Sequence, residues 1–441
     1  MIINLLNFIP KYIEGKEVIV GLPGEKFLIG KKIKNFNEKI IDVRIKEIND
    51  RENPFYRIMT ALSSENMELE KLSKRTGLTH ENLRWYLMRS KNSLLNDGLV
   101  LIKERKFFPH KRTKGGVVKI IFRLTDKGKI EMEIIKQKIN LPKRKELVII
   151  NTKGTEFVLS SWWSSWLKPN AKDLEFDKIN QRFLWKIPEN TILVQYEKAK
   201  NVLYSTILPK EIEVNDEKFI TSLGLLLGEM RTRKGEISFS NTESFLANYV
   251  LSSLEYFGLR KENFIFSIQI NTKNSEPDKE ELINYWSKEL RIEKDKIYKV
   301  FEYKDYGTKR SKLGRVDFIY YNVILKEIIN NLINYFVEEA KKNKDYAICL
   351  IRGLLASEGY VSPSKCNSLG RVGISSQSEK NKNHIVDMLN NLDIATSISK
   401  HDVRITSKDN FNKIIEYDLL KISKDKEKFK ILYKNFKYNK T

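Results

Sequence analysis

LGLLLGEM fills residues 223–230 and RGLLASEG fills residues 352–359. Each is a short apolar run with one small residue, a second small residue four positions on, and a glutamate at its end. Gly224 and Gly228 in the first copy, like Gly353 and Ser357 in the second, stand one helical turn apart. That spacing lets two helix backbones approach closely while the flanking leucines seal the seam. Two such helices packed on one another bring their ends together, so Glu229 and Glu358 become neighbours. Like charges side by side are costly unless a cation bridges them, and a donor set made only of carboxylates suits Mg²⁺. Two carboxylates at a dyad, sharing Mg²⁺ with the phosphates of two strands, form a layout for phosphodiester cleavage.

The repetition continues beyond the motifs. ISFSNTESFLANYVLSSLEYFGL (237–259) aligns without a gap to VGISSQSEKNKNHIVDMLNNLDI (372–394) at a constant offset of 135. Ile237 then matches Val372, Phe239 matches Ile374, Val250 matches Ile385, Leu254 matches Leu389 and Leu259 matches Ile394. Both copies read as strand, polar turn and amphipathic helix. A second match, at an offset of 87, joins RVDFIYYNVILKEII (315–329) to DVRITSKDNFNKIIE (402–416), again a strand feeding a helix. One αβ plan is therefore expected twice, with pseudo-twofold symmetry and some 48 extra residues inside the first copy.

A chain of 441 residues exceeds what one hydrophobic core usually organises, so two to four domains are expected. The 80 Lys and Arg outweigh 57 Asp and Glu by 23, which makes polyanions the natural partners. No run of about 18 to 20 apolar residues is present to span a bilayer, and the opening MIINLLNFIPKYIEGKE does not read as a secretory leader. An intracellular, cytoplasmic protein without a membrane partner is expected. Cys349 and Cys366 offer no disulfide framework, and with His80, His110, His384 and His401 they make no convincing zinc site.

Upstream, KEVIVGLPGEKFLIGKKI reads as a small hairpin about Leu22-Pro23-Gly24. From residue 54 the periodicity turns helical, with Leu69, Leu72, Leu78, Leu83, Tyr86 and Leu87 at three- to five-residue steps, broken at Gly77, and Thr79 placed as the next N-cap. Two β-rich runs follow, 99–103 and 117–124, around a basic loop. The order resembles a winged helix-turn-helix. Residues 51–130 carry 18 Lys and Arg against 8 Asp and Glu, and although a basic hairpin can be merely a solvated face, the distribution suits DNA. Thr79, His80, Asn82, Arg84, Arg89 and Lys91 lie on one helix for base edges, and Lys106, Lys111, Arg112 and Lys114 lie in the wing for phosphates. Further on, Trp162, Trp163 and Trp166 read either as a base-stacking cluster or, more often for large aromatics, as core.

The motifs LGLLLGEM and RGLLASEG, with the lead-in ILPKEIEVNDEKFITS and the second-copy GRVGISSQSEK, resemble the LAGLIDADG homing endonucleases in their single-chain, two-motif form. The resemblance covers about residues 207–430. It implies an α+β fold, a pseudo-twofold LAGLIDADG saddle of two αββαββα-type repeats with two four-stranded antiparallel sheets lying in the DNA major groove, working as a monomer on double-stranded DNA. It implies that Glu229 and Glu358 bind Mg²⁺ and are catalytic, that Gly224, Gly228, Gly353 and Ser357 line the helix interface, and that strands around 234–241, 267–273, 370–377 and 403–408 face DNA. Arg231, Arg233, Lys234, Arg371 and Arg404 would be the cations of that face.

Two positions depart from the family pattern. Met230 stands where the motif carries glycine, kept at Gly359, and Thr242 and Gln377 stand where many active members carry a lysine. The expected organisation is a β-rich segment at 1–50, a winged helix-turn-helix at 51–140, a β-rich connection at 141–206, and repeats at 207–340 and 341–441. The leading function is a site-specific double-strand DNA endonuclease. The alternatives are a transcriptional regulator on a catalytically retired saddle, as in relatives that fuse the saddle to a helix-turn-helix, and an RNA-directed role such as intron maturation.

Overall fold

The computed structural model describes residues 1–29, 40–49, 54–76, 78–89, 93–109, 116–138, 143–151, 156–159, 174–199, 202–231, 233–271, 278–303 and 313–438. The chain is α+β and forms two compact units, one made of residues 1–46 with 146–441 and the other of residues 47–145. Residues 1–46 of the segment expected at 1–50 thus fall in the same unit as the C-terminal part of the chain.

The first unit opens with β1 (Ile2–Asn4), β2 (Tyr12–Ile13), β3 (Lys16–Gly21), β4 (Lys26–Ile29) and β5 (Ile40–Asn49). The hairpin expected about Leu22-Pro23-Gly24 does not form, since β3 and β4 enter different sheets. The tight hairpin is instead β2–β3, turning at Glu14 and Gly15, whose φ of 57° and 72° are the two left-handed residues such a turn needs.

The second unit runs α1 (Pro54–Ser64), β6 (Met67–Glu68), α2 (Leu69–Thr76), α3 (His80–Arg84) with a π turn over Trp85–Arg89, β7 (Val100–Pro109), β8 (Gly116–Leu124) and α4 (Asp126–Lys138). Its sheet has the order β6-β8-β7. Its core joins Ile58, Met59 and Leu62 of α1 to Leu72, Leu83, Leu87, Phe122 and Leu124. The periodic leucines of the sequence are therefore the inner face, and Thr79 accepts from Asn82 N–H at 3.2 Å as N-cap. β7 reaches Pro109, so Lys106 is a strand residue opposite Lys119 rather than part of a loop.

Back in the first unit come β9 (Lys143–Asn151), β10 (Glu156–Leu159), β11 (Leu174–Asp177), β12 (Arg182–Lys186), β13 (Thr191–Ala199), β14 (Val202–Pro209) and β15 (Glu211–Glu213). These strands claim the N-terminal ones: β3 pairs with β13, β4 with β12 and β1 with β15. One hydrophobic core then runs unbroken from Ile3 and Leu5 to Phe429 and Tyr433.

The two motifs close α5 (Asp216–Glu229) and α9 (Lys344–Ser357). After α5 come β16 (Glu236–Asn241), α6 (Ser244–Leu254), β17 (Ile265–Asn271), α7 (Lys279–Leu290), β18 (Ile297–Tyr303), β19 (Arg315–Tyr321) and α8 (Val323–Ala340). After α9 come β20 (Gly359–Pro363), β21 (Leu369–Ser375), α10 (Glu379–Asn391), β22 (Thr396–Ile398), β23 (Asp402–Ile405), α11 (Lys408–Glu416) and α12 (Lys426–Tyr438). All ten apolar residues matched at the offset of 135 are buried.

The copies are not equal. The second follows helix, two strands, helix, two strands, helix, with all-antiparallel order β20-β21-β23-β22. The first has order β16-β19-β17-β18, in which β17 and β18 run parallel. Among the described residues it lacks the strand that β20 supplies, and α7 and β18 lie within its extra residues. Sheet 1 is therefore mixed rather than antiparallel.

The second sequence match also shifts. Asp317 lies opposite Ser240 and Asp402 opposite Ser375, so the copies correspond at an offset of 85, from Asp317 to Asp402, rather than 87. The N-cap positions Asn322 and Ser407 agree with 85. A slip of two residues keeps every side chain on its own face, so an apolar pattern cannot detect it.

Candidate active site and nucleic-acid interface

α5 and α9 touch backbone to backbone at the small residues. A Cβ added to Gly353 would lie 2.6 Å from Leu225 N and 2.8 Å from Gly224 C, and one on Gly224 would collide with the Leu350 carbonyl. Gly228 faces Ser357 Oγ, with Glu358 Cγ at 3.1 Å from where its Cβ would be. Arg352 reinforces the seam, donating from Nη1 to Glu217 at 3.1 Å and from Nη2 to the Tyr417 carbonyl at 2.8 Å.

The two helices end differently. Glu229 is the last residue of α5, and Met230 leaves in extended conformation, φ −71° and ψ 124°. In the second copy Glu358 is itself the C-cap, and Gly359 begins β20 so close to Leu355 that a Cβ would sit 2.7 Å from its Cα. Glycine is required where the chain folds back at once into a strand; it is not where no strand follows. Met230 is thus explained by its extended exit, with no strand following at once among the described residues.

Both glutamates are half-buried. Burial first, and then repulsion from Glu358, push Glu229 up to about 7, with Arg315 and Lys424 opposing the rise and Asp317 adding to it. Burial also raises Glu358. Asn241 Nδ2 stands 3.5 Å from Glu229 Oε1. Two half-buried carboxylates, both raised and one repelling the other, make a site that a cation would complete. Among the described residues no group of three or more His, Cys, Asp or Glu could hold a metal by protein ligands alone. The donor set therefore fits an ion such as Mg²⁺, which keeps waters and substrate phosphates in its shell and takes one or two carboxylates from the protein.

The cations expected on the strand faces divide into two groups. Arg231 Nη2 is 2.8 Å from Asp317 and Arg404 Nε is 2.8 Å from Asp402, so these two are bound to carboxylates of the same sheets. Lys234 pairs with Glu14 at 2.8 Å, while Arg233 is 74% exposed, at 3.8 Å from Glu236. Arg371 lies over the Tyr360 ring at 5.7 Å. Thr242 Oγ donates to Glu243 at 3.3 Å, and among the described residues the cations whose charge acts on Glu229 are Arg315 and Lys424. Neither was singled out in the sequence. Arg315 donates twice to Gln269 Oε1, at 2.6 and 3.2 Å, and the only hint of it was the mirrored RVD (315–317) and DVR (402–404).

In the second unit Thr79, the N-cap of α3, and His80, Asn82, Arg84 and Arg89 in α3 and its π turn are all exposed. Trp85, passed over in the sequence, is 55% exposed beside Arg84. Lys91, Lys111, Arg112, Lys114 and the tryptophans at 162, 163 and 166 lie outside the described residues, as does the side chain of Lys106. Among the described residues no helix is long and apolar enough to cross a membrane.

Residues 345–429 match the model of a LAGLIDADG-like domain. Among solved structures the chain is similar to I-DmoI in complex with DNA and Mn, at 15% identity over 47% of this chain and 98% of that one, with a TM-score of 0.27. It is also similar to full-length DUF199/WhiA from Thermatoga maritima, at 12% identity over 51% of this chain and 62% of that one, with a TM-score of 0.30. No curated protein matches the chain.

Proposed function

We propose that this chain is a site-specific endonuclease acting on double-stranded DNA, built as a single-chain LAGLIDADG saddle and carrying a winged helix-turn-helix at residues 47–145. The observation that carries the reading is the pair of half-buried glutamates, Glu229 and Glu358, brought together at the ends of two helices whose glycines allow backbone contact. The family-model match over residues 345–429 supports it for the second copy.

Glu229 and Glu358 would hold Mg²⁺, which when bound neutralises charge on the scissile phosphate. To do so both must be ionised, so the raised Glu229 makes metal affinity climb with pH up to about 7 and release a proton on binding. Asn241 orients Glu229 from β16. Arg315, fixed by Gln269 at the end of β19, supplies the positive charge that lysines at the positions of Thr242 and Gln377 would otherwise bring.

The test is incubation with a supercoiled plasmid carrying the gene's own flanking DNA. Linear product with Mg²⁺, lost with Ca²⁺ or EDTA, is expected. Binding without cleavage under every divalent ion would favour the second reading, a transcriptional regulator on a retired saddle, for which Thr242 and Gln377 in place of lysines speak.

The winged helix makes a separate prediction. Arg84→Ala in the reading helix should weaken a selected site more than random DNA, by about 1–3 kcal/mol, whereas Lys111→Ala or Arg112→Ala should weaken both alike and flatten the salt dependence. Gel-shift titrations at several salt concentrations check this. Equal losses from all three variants would remove the base-reading role of α3.

A further inference from the structure

Each copy carries a buried aspartate at the same place in its sheet. Asp317 is 2% exposed and opposes Ser240; Asp402 is 7% exposed and opposes Ser375. Each takes a hydrogen bond from the residue two positions after its motif glutamate. Asp317 Oδ2 accepts from Arg231 Nη2 at 2.8 Å, and Asp402 Oδ2 accepts from the Tyr360 hydroxyl.

Other side chains of the same sheets reach these carboxylates as well. Ser240 and Gln269 donate to Asp317; Ser399 donates to Asp402, and Arg404 pairs with it. A guanidinium in one copy and a phenol in the other share no chemistry beyond donating a hydrogen bond. The two copies have therefore kept the link while changing the donor. A buried carboxylate is expensive unless fully satisfied, and neither aspartate takes part in the apolar core, so the link itself is what the carboxylate serves.

The consequence is unequal in the two copies. After Glu358 the chain is held by the β20–β21 ladder, in which Gly359 opposes Ile374 and Ser375 N–H donates to the Glu358 carbonyl at 3.0 Å. After Glu229 no strand forms before β16 among the described residues. There the backbone is held through Arg231, whose carbonyl accepts from Lys326 Nζ at 2.9 Å and whose guanidinium is seated on Asp317.

We propose that Asp317 and Asp402 are positioning residues that fix Glu229 and Glu358 by gripping Arg231 and Tyr360, and that Asp317 carries the greater share because its copy lacks the first strand. The proposal rests on the reading of the two glutamates as the nuclease centre. The strands of a duplex are related by a dyad, as are the copies, so each glutamate's misplacement falls on the cutting of one strand.

The experiment follows supercoiled plasmid to nicked and then linear product with the full chain, alongside DNA affinity and melting temperature. Misplacement of a reacting group by about 1 Å can cost up to 10²-fold. Asp317→Asn should slow the cut of one strand at least about tenfold, so that nicked circles accumulate with all nicks on that strand and with DNA affinity unchanged. Asp402→Asn should slow the other strand by about threefold or less. Arg231→Gln, changing the more exposed partner, should reproduce the Asp317→Asn nick pattern, and the double variant should be no slower than either single one.

Wild-type kinetics on both strands for folded Asp317→Asn, or for Arg231→Gln should the first variant fail to fold, would overturn the proposal and leave the nuclease reading standing. A wild-type chain that cuts no DNA would overturn both.

Discussion

Replacing Glu229 with Gln is expected to abolish double-strand cleavage and, in metal-free buffer at pH 7.5, to raise the thermal midpoint by on the order of 4 °C. The two effects have one cause. In the folded chain Glu229 is pushed from 4.5 to about 7 by burial and by Glu358, so between those values the native state holds a proton that the unfolded chain has lost. Stability then falls as pH rises through that window, by up to about 3 kcal/mol once both are passed. Gln carries no charge to desolvate and does not face the repulsion, so the variant escapes the loss.

At pH 5 the advantage should shrink, because the native glutamate is then protonated too. Mg²⁺ should raise the wild-type midpoint at pH 7.5 and leave the variant nearly unmoved, since an ion that binds only the native state stabilises it by mass action. Calorimetry at the two pH values, with and without Mg²⁺, checks all of this. A variant less stable than wild type at pH 7.5 would mean that Glu229 is a satisfied structural carboxylate and not a site under strain.

The approach of Glu229 to Glu358 was legible in the sequence because the motif containing them is a repeated helix, and repetition at one spacing does not depend on knowing what each helix packs against. The ten matched apolar residues from Ile237 to Ile394 were legible for the same reason, and all are buried. What was not legible is whatever depends on a partner distant in the chain. β3 and β4 alternate correctly about Pro23, yet their partners are Leu193–Tyr196 and Phe183–Lys186, and nothing local in the sequence of an extended strand says which edge it will meet.

The register between the copies failed in another way. Lining Arg315 up with Asp402 preserved inside and outside, so the apolar pattern accepted an offset of 87 where strand pairing requires 85. That slip hid the equivalence of Asp317 and Asp402. It also made Arg231 and Arg404 read as free cations, because the carboxylates that hold them had not been placed beside them. Charge counted along the chain overstates the charge available to a ligand wherever a sheet folds cation and anion together.

The glycines of the seam give the last test, and their order of sensitivity matters more than any single value. In an exposed helix interior Gly→Ala is stabilising by about 1 kcal/mol, since alanine restricts the unfolded chain and favours the helix. At Gly353 the added methyl would meet Leu225 N at 2.6 Å and Gly224 C at 2.8 Å, and these are backbone atoms of the opposing helix that cannot rotate away. Overpacking of this kind costs about 1–3 kcal/mol, occasionally more, so Gly353→Ala should lose about 3 kcal/mol, and Gly224→Ala, against the Leu350 carbonyl, a similar amount. Gly228 differs because its nearest neighbour is the Ser357 hydroxyl, which can turn aside. Gly228→Ala should therefore cost less than about 1 kcal/mol, and Ser357→Gly added to it should recover the loss. Urea denaturation of the four variants gives the order directly. If Gly353→Ala proved neutral or stabilising, α5 and α9 would not be in backbone contact there, and the convergence of Glu229 with Glu358 would lose its structural cause. If the predicted order holds, the folded fraction of Gly353→Ala should cleave DNA poorly at saturating Mg²⁺, because forcing the helices apart at the glycines also separates the carboxylates at their ends.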